Sequence, residues 1–141
     1  MFLDGVDVSE EIREPRVNHS VSLISAYPAV RELLVGMQRA WVDSNGGAAV
    51  VEGRDIGSVV FPEADIKVYL DAAPEVRAER RARDTGQGVE SVMDEHERRD
   101  RIDSTRNTSP LQVPDGATVI DTSYLEIEDV IQEIVDLTRP G

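Results

Sequence analysis

Cysteine is absent from the 141-residue chain, which excludes disulfides and thiolate metal sites and favours a reducing compartment such as the cytoplasm. The two histidines lack the short spacing of paired zinc ligands, so we expect no zinc site. No apolar run approaches the roughly 18 residues that a transmembrane helix needs. Residues 1–5 carry neither a basic segment nor a long apolar stretch, and we therefore expect no signal peptide.

Aromatic residues and lysine are also scarce, and the charge is strongly negative. The formal net charge of −13 disfavours binding to nucleic acid or anionic membranes, and six Phe, Trp and Tyr offer few surfaces for stacking bases. Arginine supplies 14 of the 15 basic residues, with Lys67 the exception. Arginine suits bidentate phosphate binding, although GC-rich coding would produce the same bias. Residues 77–106 hold eight Arg and eight acidic residues, so the excess negative charge lies elsewhere.

The apolar pattern predicts helices and strands in alternation. Helices are expected from about Val17, from Pro28 to the Asn-Gly-Gly at 45–47, from Pro74 to the Thr-Gly-Gln-Gly at 85–88, over 91–105 and over 127–135. Buried strands are expected at 48–51, 66–70 and 118–120. From Ala48 onwards this order predicts an α/β fold with a parallel sheet. The first 47 residues supply no convincing strand, and three strands are few for a sheet covered on both faces.

One helix carries a conspicuous apolar stripe. Leu33, Met37 and Trp41 recur at helical spacing after Pro28, and we expect this stripe to lie in the core.

The segment Val-Glu-Gly-Arg-Asp-Ile-Gly at 51–57 follows a predicted buried strand with a glycine turn. In open α/β sheets ligands bind beyond the carboxyl ends of strands. Arg54 can bind a phosphate in a bidentate manner, and Asp55 can accept a hydrogen bond from the amino group of a base. The alternative is a local ion pair between Arg54 and Asp55, and the spacing alone does not separate the two.

Arg99, Asp103 and Arg106 stand at positions i, i+4 and i+7, so they share one helix face. Two cations beside one carboxylate suit a phosphate, with the acid orienting them or binding a sugar hydroxyl. On pattern alone the alternative is favoured, namely a solvated face with ion pairs between successive turns.

Two weaker candidates complete the set. The segment at 77–81 (Arg-Ala-Glu-Arg-Arg) places Arg80 on a helix whose simplest interpretation is an exposed amphipathic face. Ser22 and Arg31 carry no distinguishing pattern, and ordinary surface polarity explains them.

The sequence lacks the Walker A motif, a common phosphate-binding loop. A Walker A loop needs the pattern G-x-x-x-x-G-K-[ST], whereas Lys67, the sole lysine, lies within the predicted strand at 66–70. The chain therefore contains no Walker A loop.

Together these segments resemble the bacterial type of cytidylate kinase over nearly the whole chain, from Asp-Gly-Val-Asp-Val-Ser at 4–9 to the last helix. The most specific pieces are Val-Glu-Gly-Arg-Asp-Ile-Gly-Ser-Val-Val-Phe-Pro at 51–62 and Arg-Asp-Arg-Ile-Asp-Ser-Thr-Arg-Asn-Thr-Ser-Pro-Leu at 99–111. The resemblance implies a P-loop nucleoside-monophosphate-kinase fold, with a parallel sheet, flanking helices, an inserted CMP-binding region and a mobile lid. It implies transfer of the γ-phosphate of ATP to CMP or dCMP, with Mg²⁺.

The resemblance also implies roles for individual residues. Ser22, Arg31 and Asp55 match positions that recognise cytosine; Arg54, Arg99 and Arg106 match arginines on the CMP phosphate and the transferred group; Asp103 matches a sugar contact; and Arg80 matches an arginine on the ATP side of the lid. No protein ligand for Mg²⁺ is identifiable, so the metal is expected to arrive with ATP.

The chain departs from the family in one large respect. The family's first strand, P-loop and first helix have no counterpart here, so we expect residues 1–47 to be part of the CMP-binding insert. Residues 48–141 are expected to form the core, with a lid near 84–112. Losing the P-loop removes most of the ATP-binding site, and losing the first strand exposes a sheet edge.

Three hypotheses follow. The chain is a truncated cytidylate kinase, a fragment that binds CMP without turnover, or one half of a split kinase whose partner chain supplies the missing segment. Without such a partner we expect a monomer that binds CMP or dCMP and ATP but neither nucleic acid nor membrane. A nucleic-acid-binding protein is a distant fourth hypothesis.

Overall fold

The computed structural model describes residues 1–105 and 111–139, with the side chains of all of these except Pro15, Asn18, His19 and Ser22. Within them the strands are β1 (Phe2–Leu3), β2 (Val6–Asp7), β3 (Val68–Asp71) and β4 (Thr118–Asp121). The helices are α1 (Pro15–Ile24), α2 (Pro28–Ser44), α3 (Pro74–Thr85), α4 (Val89–Thr105) and α5 (Ile127–Leu137). A 3₁₀ turn at Glu11–Arg13 and a π turn at Ile56–Val60 complete the order.

The central sheet is parallel, as the order of elements predicts. Strand β3 pairs with β4, with Val68 opposite Thr118 and Asp71 opposite Asp121, and helices α3 and α4 lie between them in the chain. The strands expected at 66–70 and 118–120 are thus confirmed, as is a mixed α/β architecture with a small parallel sheet. In the described part of the chain this sheet has two strands.

The strand expected at 48–51 is wrong. These residues have no regular secondary structure, and Val50 is fully exposed. A strand needs a neighbour to take up its backbone hydrogen bonds, and no strand among residues 1–105 and 111–139 lies beside this segment. The apolar run therefore lacks the pairing that would make it a strand.

A short hairpin near the N-terminus was not expected. Strands β1 and β2 pair antiparallel, with Phe2 opposite Asp7. Asp4 and Gly5 join them with φ values of 51° and 82°. An Asp-Gly pair with positive φ at both residues is the favoured two-residue turn, because its twist matches that of the strands. The expectation that the first 47 residues contain no strand is corrected by this pair.

Helix α2 begins at Pro28 and ends before Asn45 as expected, but its apolar stripe is not core. Leu33, Met37 and Trp41 are 63%, 59% and 59% exposed. The buried side chains of this helix are Arg31 and Val42 instead. Periodicity identifies the face that can pack, whereas burial depends on another element covering that face.

Helices α3 and α4 pack against each other around small side chains. Ala78, Ala82 and Val92 are buried, and Met93 packs against them. The alanines lie one turn apart and allow close approach of the two helices. The breaker expected at 85–88 is confirmed, since α3 ends at Thr85 and α4 begins at Val89. Over the described ranges, none of the helices has both the length and the apolar content required to span a bilayer.

Candidate functional site

The turn that carries Arg54 and Asp55 is held tightly from both sides. A Cβ on Gly53 would lie 2.8 Å from Cγ1 of Ile56, so any larger residue here would force the Ile56 side chain to move. From helix α2, Arg39 donates hydrogen bonds of 2.8 Å from Nε to the carbonyl of Val60 and from Nη2 to that of Val59. The backbone around the turn is therefore fixed, and it directs its two charged side chains to different partners.

Asp55 forms a buried ion pair with Arg31. Nη2 of Arg31 donates to Oδ2 of Asp55, and the two side chains are only 10% and 11% exposed. Nη1 of Arg31 lies 3.3 Å from the carbonyl oxygen of Ser25, which links the end of α1 to the pair. Surface polarity is therefore the wrong explanation for Arg31. Ser22 lies in α1, but its side chain is outside the described residues.

Arg54 reaches helix α4 rather than its neighbour Asp55. Its Nε donates to Oδ2 of Asp103 at 3.0 Å, and its Nη2 donates to Oδ1 of Asp100. These acids lie 49 and 46 residues away in the sequence. The local ion pair between Arg54 and Asp55 is therefore wrong.

Two further arginines join the same acids. Nη1 of Arg77 on α3 donates to Oδ2 of Asp100 at 2.8 Å, and Nε of Arg99 lies 3.9 Å from Oδ2 of Asp103. We call Arg54, Arg77, Arg99, Asp100 and Asp103 the arginine–aspartate cluster. Its three cations and two carboxylates leave a formal charge of +1.

The interpretation of a solvated face with ion pairs is wrong for Asp103, which is buried, although the exposed Arg99 does pair with it one turn away. The side chain of Asp103 is 4% exposed, and those of Asp100 and Arg54 are 25% and 34% exposed. Among these side chains Arg99 is the most exposed, at 47%. Arg106, the third residue of the predicted face, lies outside the described residues.

Burial and the nearby arginines shift the pKa values of two groups in this region, Asp100 and His96. Burial alone would raise the pKa of Asp100, but hydrogen bonds from Arg77 and Arg54, with their positive charges, lower this pKa below its ordinary value. Burial and the charge of Arg77 lower the pKa of His96, one turn before Asp100 on α4, although Asp100 opposes this. His96 therefore adds no full positive charge near neutral pH.

Arg80 occupies a different position, at the end of the sheet. Its Nη1 donates to Oγ1 of Thr122 at 2.9 Å and its Nη2 to the Thr122 carbonyl at 2.6 Å, while Oγ1 of Thr122 donates to the carbonyl of Asp71. Arg80 thus joins α3 to the carboxyl ends of both strands. The interpretation of 77–81 as an exposed face is wrong for Arg77, Ala78 and Arg80, although Glu79 and Arg81 are exposed.

An open groove of about 450 Å³ lies beside Arg80. Arg83 and Asp84 of α3 form one side, and Leu125, Ile127 and Val130 form an apolar wall at the start of α5. The groove offers an apolar surface next to two arginines, Arg80 and Arg83, and two acidic residues, Asp84 and Glu126.

Sequence reasoning missed several residues that build these sites. Asp100 precedes Asp103 by three residues and so shares its helix face, a spacing that could have identified it. Arg39 and Thr122 act through long-range contacts that carry no local signal. Within the described ranges, His, Asp and Glu form no group of three suited to a metal ion.

Comparison with known proteins relates the whole chain to one family. The sequence model of the cytidylate kinase family matches residues 1–140. The cytidylate kinase of Rhodococcus opacus (strain B4) is 49% identical over 140 residues, covering 96% of this chain and 61% of that protein. That of Pelotomaculum thermopropionicum is 48% identical over a 148-residue alignment, covering 100% of this chain and 64% of that protein. The chain thus spans between three fifths and two thirds of the length of these relatives.

Proposed function

The chain belongs to the cytidylate kinase family, and from that premise we propose that it is the part of such a kinase that binds the acceptor, CMP or dCMP. In the complete reaction the γ-phosphate of ATP passes to this nucleotide, giving CDP or dCDP. We further propose that residues 1–47 belong to the CMP-binding insert, and that 48–141 belong to a P-loop-type core with a lid near 84–112. The observation that carries the proposal is the arginine–aspartate cluster, which brings together residues from three distant segments.

The phosphate of CMP is assigned to the arginines of this region. Arg54 and Arg99 are partly exposed beside the buried Asp103, and the cluster carries a formal charge of +1. A phosphate monoester is a dianion with several acceptor oxygens, which suits guanidinium groups whose other donors are already held. Arg54, Arg99 and Arg106 bind the phosphate and the transferred group in this proposal, and Asp103 binds the sugar.

The cytosine base is assigned to Asp55, with Arg31 and Ser22 beside it. Arg31 occupies Oδ2 of Asp55, and the other carboxylate oxygen can accept a hydrogen bond from the exocyclic amino group of cytosine. Uracil carries a carbonyl oxygen at that position, which would face the carboxylate as an unpaired acceptor. The buried ion pair therefore favours cytosine over uracil.

The groove beside Arg80 is the proposed ATP side of the protein. Its apolar wall suits an adenine base, and Arg80 and Arg83 suit phosphate groups. Mg²⁺ would reach the site on the phosphates of ATP, whose charge it would neutralise, because the described residues form no metal-binding group of their own. Since the sequence has no G-x-x-x-x-G-K-[ST] pattern, we expect little turnover from these 141 residues alone.

Calorimetric titration with CMP and UMP tests the proposed base recognition. CMP is expected to bind more tightly by about 1–3 kcal/mol, and Asp55→Asn should abolish most of this difference. Asp65→Asn, which alters an exposed carboxylate outside this turn, is the control and should keep the preference. Equal affinities of the unmodified chain for CMP and UMP would remove Asp55 from this role.

A coupled assay of ADP release with CMP, ATP and Mg²⁺ tests catalysis. The rate should fall far below the roughly 1–100 s⁻¹ of typical kinases. A rate within that range would show that these residues suffice for ATP use and that the proposal of an acceptor-binding part is wrong.

A second candidate function is one half of a split kinase. The unpaired segment at 48–51 and the exposed stripe of Leu33, Met37 and Trp41 favour it, because a partner chain would cover both. Adding the P-loop segment of a related kinase in trans should then raise ADP release by orders of magnitude. No change in the rate would count against this candidate.

A further inference from the structure

Asp100 connects three segments of the protein. It lies on α4, accepts from Arg54 in the turn at 53–55 through one carboxylate oxygen, and accepts from Arg77 on α3 through the other. Its side chain is only 25% exposed. Both oxygens are therefore engaged, and the carboxylate is held in one orientation.

The way in which Arg54 is bound leaves one of its edges available. A guanidinium group has a side edge, formed by Nε and Nη2, and an end edge, formed by Nη1 and Nη2. Asp103 and Asp100 take Nε and Nη2, which is the side edge. Within the described residues, Nη1 of Arg54 has no hydrogen-bond partner. The two carboxylates therefore fix the plane of the group, while the Nη1 side of its end edge stays free for a ligand.

We propose that Asp100 is a positioning residue that acts through Arg54 to aim the free guanidinium edge at the phosphate of the bound nucleotide, with Arg77 locking Asp100 in place. This proposal rests on the proposed function, since it takes CMP as the ligand. It assigns no direct contact between Asp100 and the nucleotide.

The sign of the effect of removing Asp100 separates this role from the simplest alternative. A carboxylate that only neutralised nearby arginines would weaken phosphate binding, so its removal would strengthen the affinity for CMP. A carboxylate that orients Arg54 has the opposite effect, because its loss frees the side chain to adopt many unproductive rotamers.

The test compares CMP with cytidine, which has the same base and sugar but no phosphate. Asp100→Asn should weaken CMP binding about tenfold in a calorimetric titration and leave cytidine binding unchanged. Asp94→Asn, which removes an exposed carboxylate from the same helix, is the matched control and should change neither affinity. In an Arg54→Ala background, Asp100→Asn should have no further effect, because the residue through which it acts is gone.

Three outcomes would overturn the proposal: tighter CMP binding by Asp100→Asn, equal losses for CMP and cytidine, or the same loss in the Arg54→Ala background. If Asp100→Asn fails to fold, Arg77→Gln provides the second variant. It should reduce CMP binding in the same direction but to a smaller extent, and an unchanged ratio of CMP to cytidine affinity would contradict the mechanism.

A measurement without ligand separates this proposal from the proposed function. The Nη2–H signal of Arg54, whose acceptor is Asp100, should be protected from exchange in a ¹⁵N–¹H spectrum of the unmodified chain and of Asp94→Asn, and lose that protection in Asp100→Asn. A chain that binds neither CMP nor cytidine would contradict the proposed function, while this signal would still decide whether Asp100 fixes Arg54. Unchanged protection in Asp100→Asn would overturn the positioning role.

Discussion

The ion pair between Arg31 and Asp55 allows a sharp prediction about stability. Replacing Arg31 with methionine keeps an unbranched chain of similar length in α2 but removes the cation that faces Asp55. The carboxylate would then remain buried beside the turn at 53–55, where only 11% of its side chain reaches solvent. The hydrogen bond from Arg31 to the carbonyl of Ser25 is lost as well.

The expected cost is large for a single substitution. Breaking one partner of a buried pair costs about 3–5 kcal/mol, because the remaining charge is left without compensation. A domain of this size is typically stable by about 5–15 kcal/mol, so Arg31→Met should remove a substantial share of the free energy of unfolding. The double variant Arg31→Met with Asp55→Asn should cost less than Arg31→Met alone, since no buried charge remains.

Urea unfolding followed by circular dichroism measures these differences, provided that the slope of the transition stays constant. The control is Arg13→Met, which removes an exposed pair with Glu10, whose side chain is 90% exposed, and should cost no more than about 0.5 kcal/mol. A loss below about 1 kcal/mol for Arg31→Met would refute the reasoning, because it would place the pair in the range of surface salt bridges. So would a double variant that loses the sum of the two single losses.

Two further predictions concern backbone conformation and pH. Gly86 has a φ of 69° at the end of α3, whereas Gly36 lies within α2, and at neither position would an added Cβ meet an atom within 4 Å. Thermal unfolding should therefore show that Gly86→Ala destabilises the protein and Gly36→Ala stabilises it, each by about 0.5–1 kcal/mol. Changes of the same sign would contradict this reasoning. Burial and Arg77 lower the pKa of His96 below that of the unfolded chain, so the unfolded state binds more protons and the free energy of unfolding should rise with pH up to about 6.5. His96→Gln should flatten this rise in urea titrations between about pH 5 and 7, and an unchanged slope would exclude His96 as its source.

Local signals in the sequence were sufficient for the main elements of the fold. Pro28 and Pro74 each occupy the first position of a helix, where the missing N–H costs nothing, and Gly86 ends α3 in the left-handed conformation. The strands β3 and β4 follow from short apolar runs whose pairing partner lies within the chain. These features depend on neighbouring residues, which sequence patterns describe well.

The sequence did not show which partner each segment or charge finds. The run at 48–51 has a strand pattern but no neighbouring strand, and the stripe of Leu33, Met37 and Trp41 has a core pattern but no covering element in the described residues. Among the charges, Arg54 and Asp55 are adjacent in sequence yet pair with residues 24 to 49 positions away. Contacts at such separations depend on the path of the whole chain.

Through Arg77 and Arg80, helix α3 contacts both the arginine–aspartate cluster and the end of the parallel sheet. Arg77 holds the arginine–aspartate cluster and Arg80 holds the carboxyl end of β4 at Thr122, yet they stand only three residues apart, about 4.5 Å along the helix axis. A tilt of α3 that opens one contact therefore displaces the other. The groove beside α5 and the cluster on α4 therefore share α3 as a common support, and a displacement of this helix would alter both.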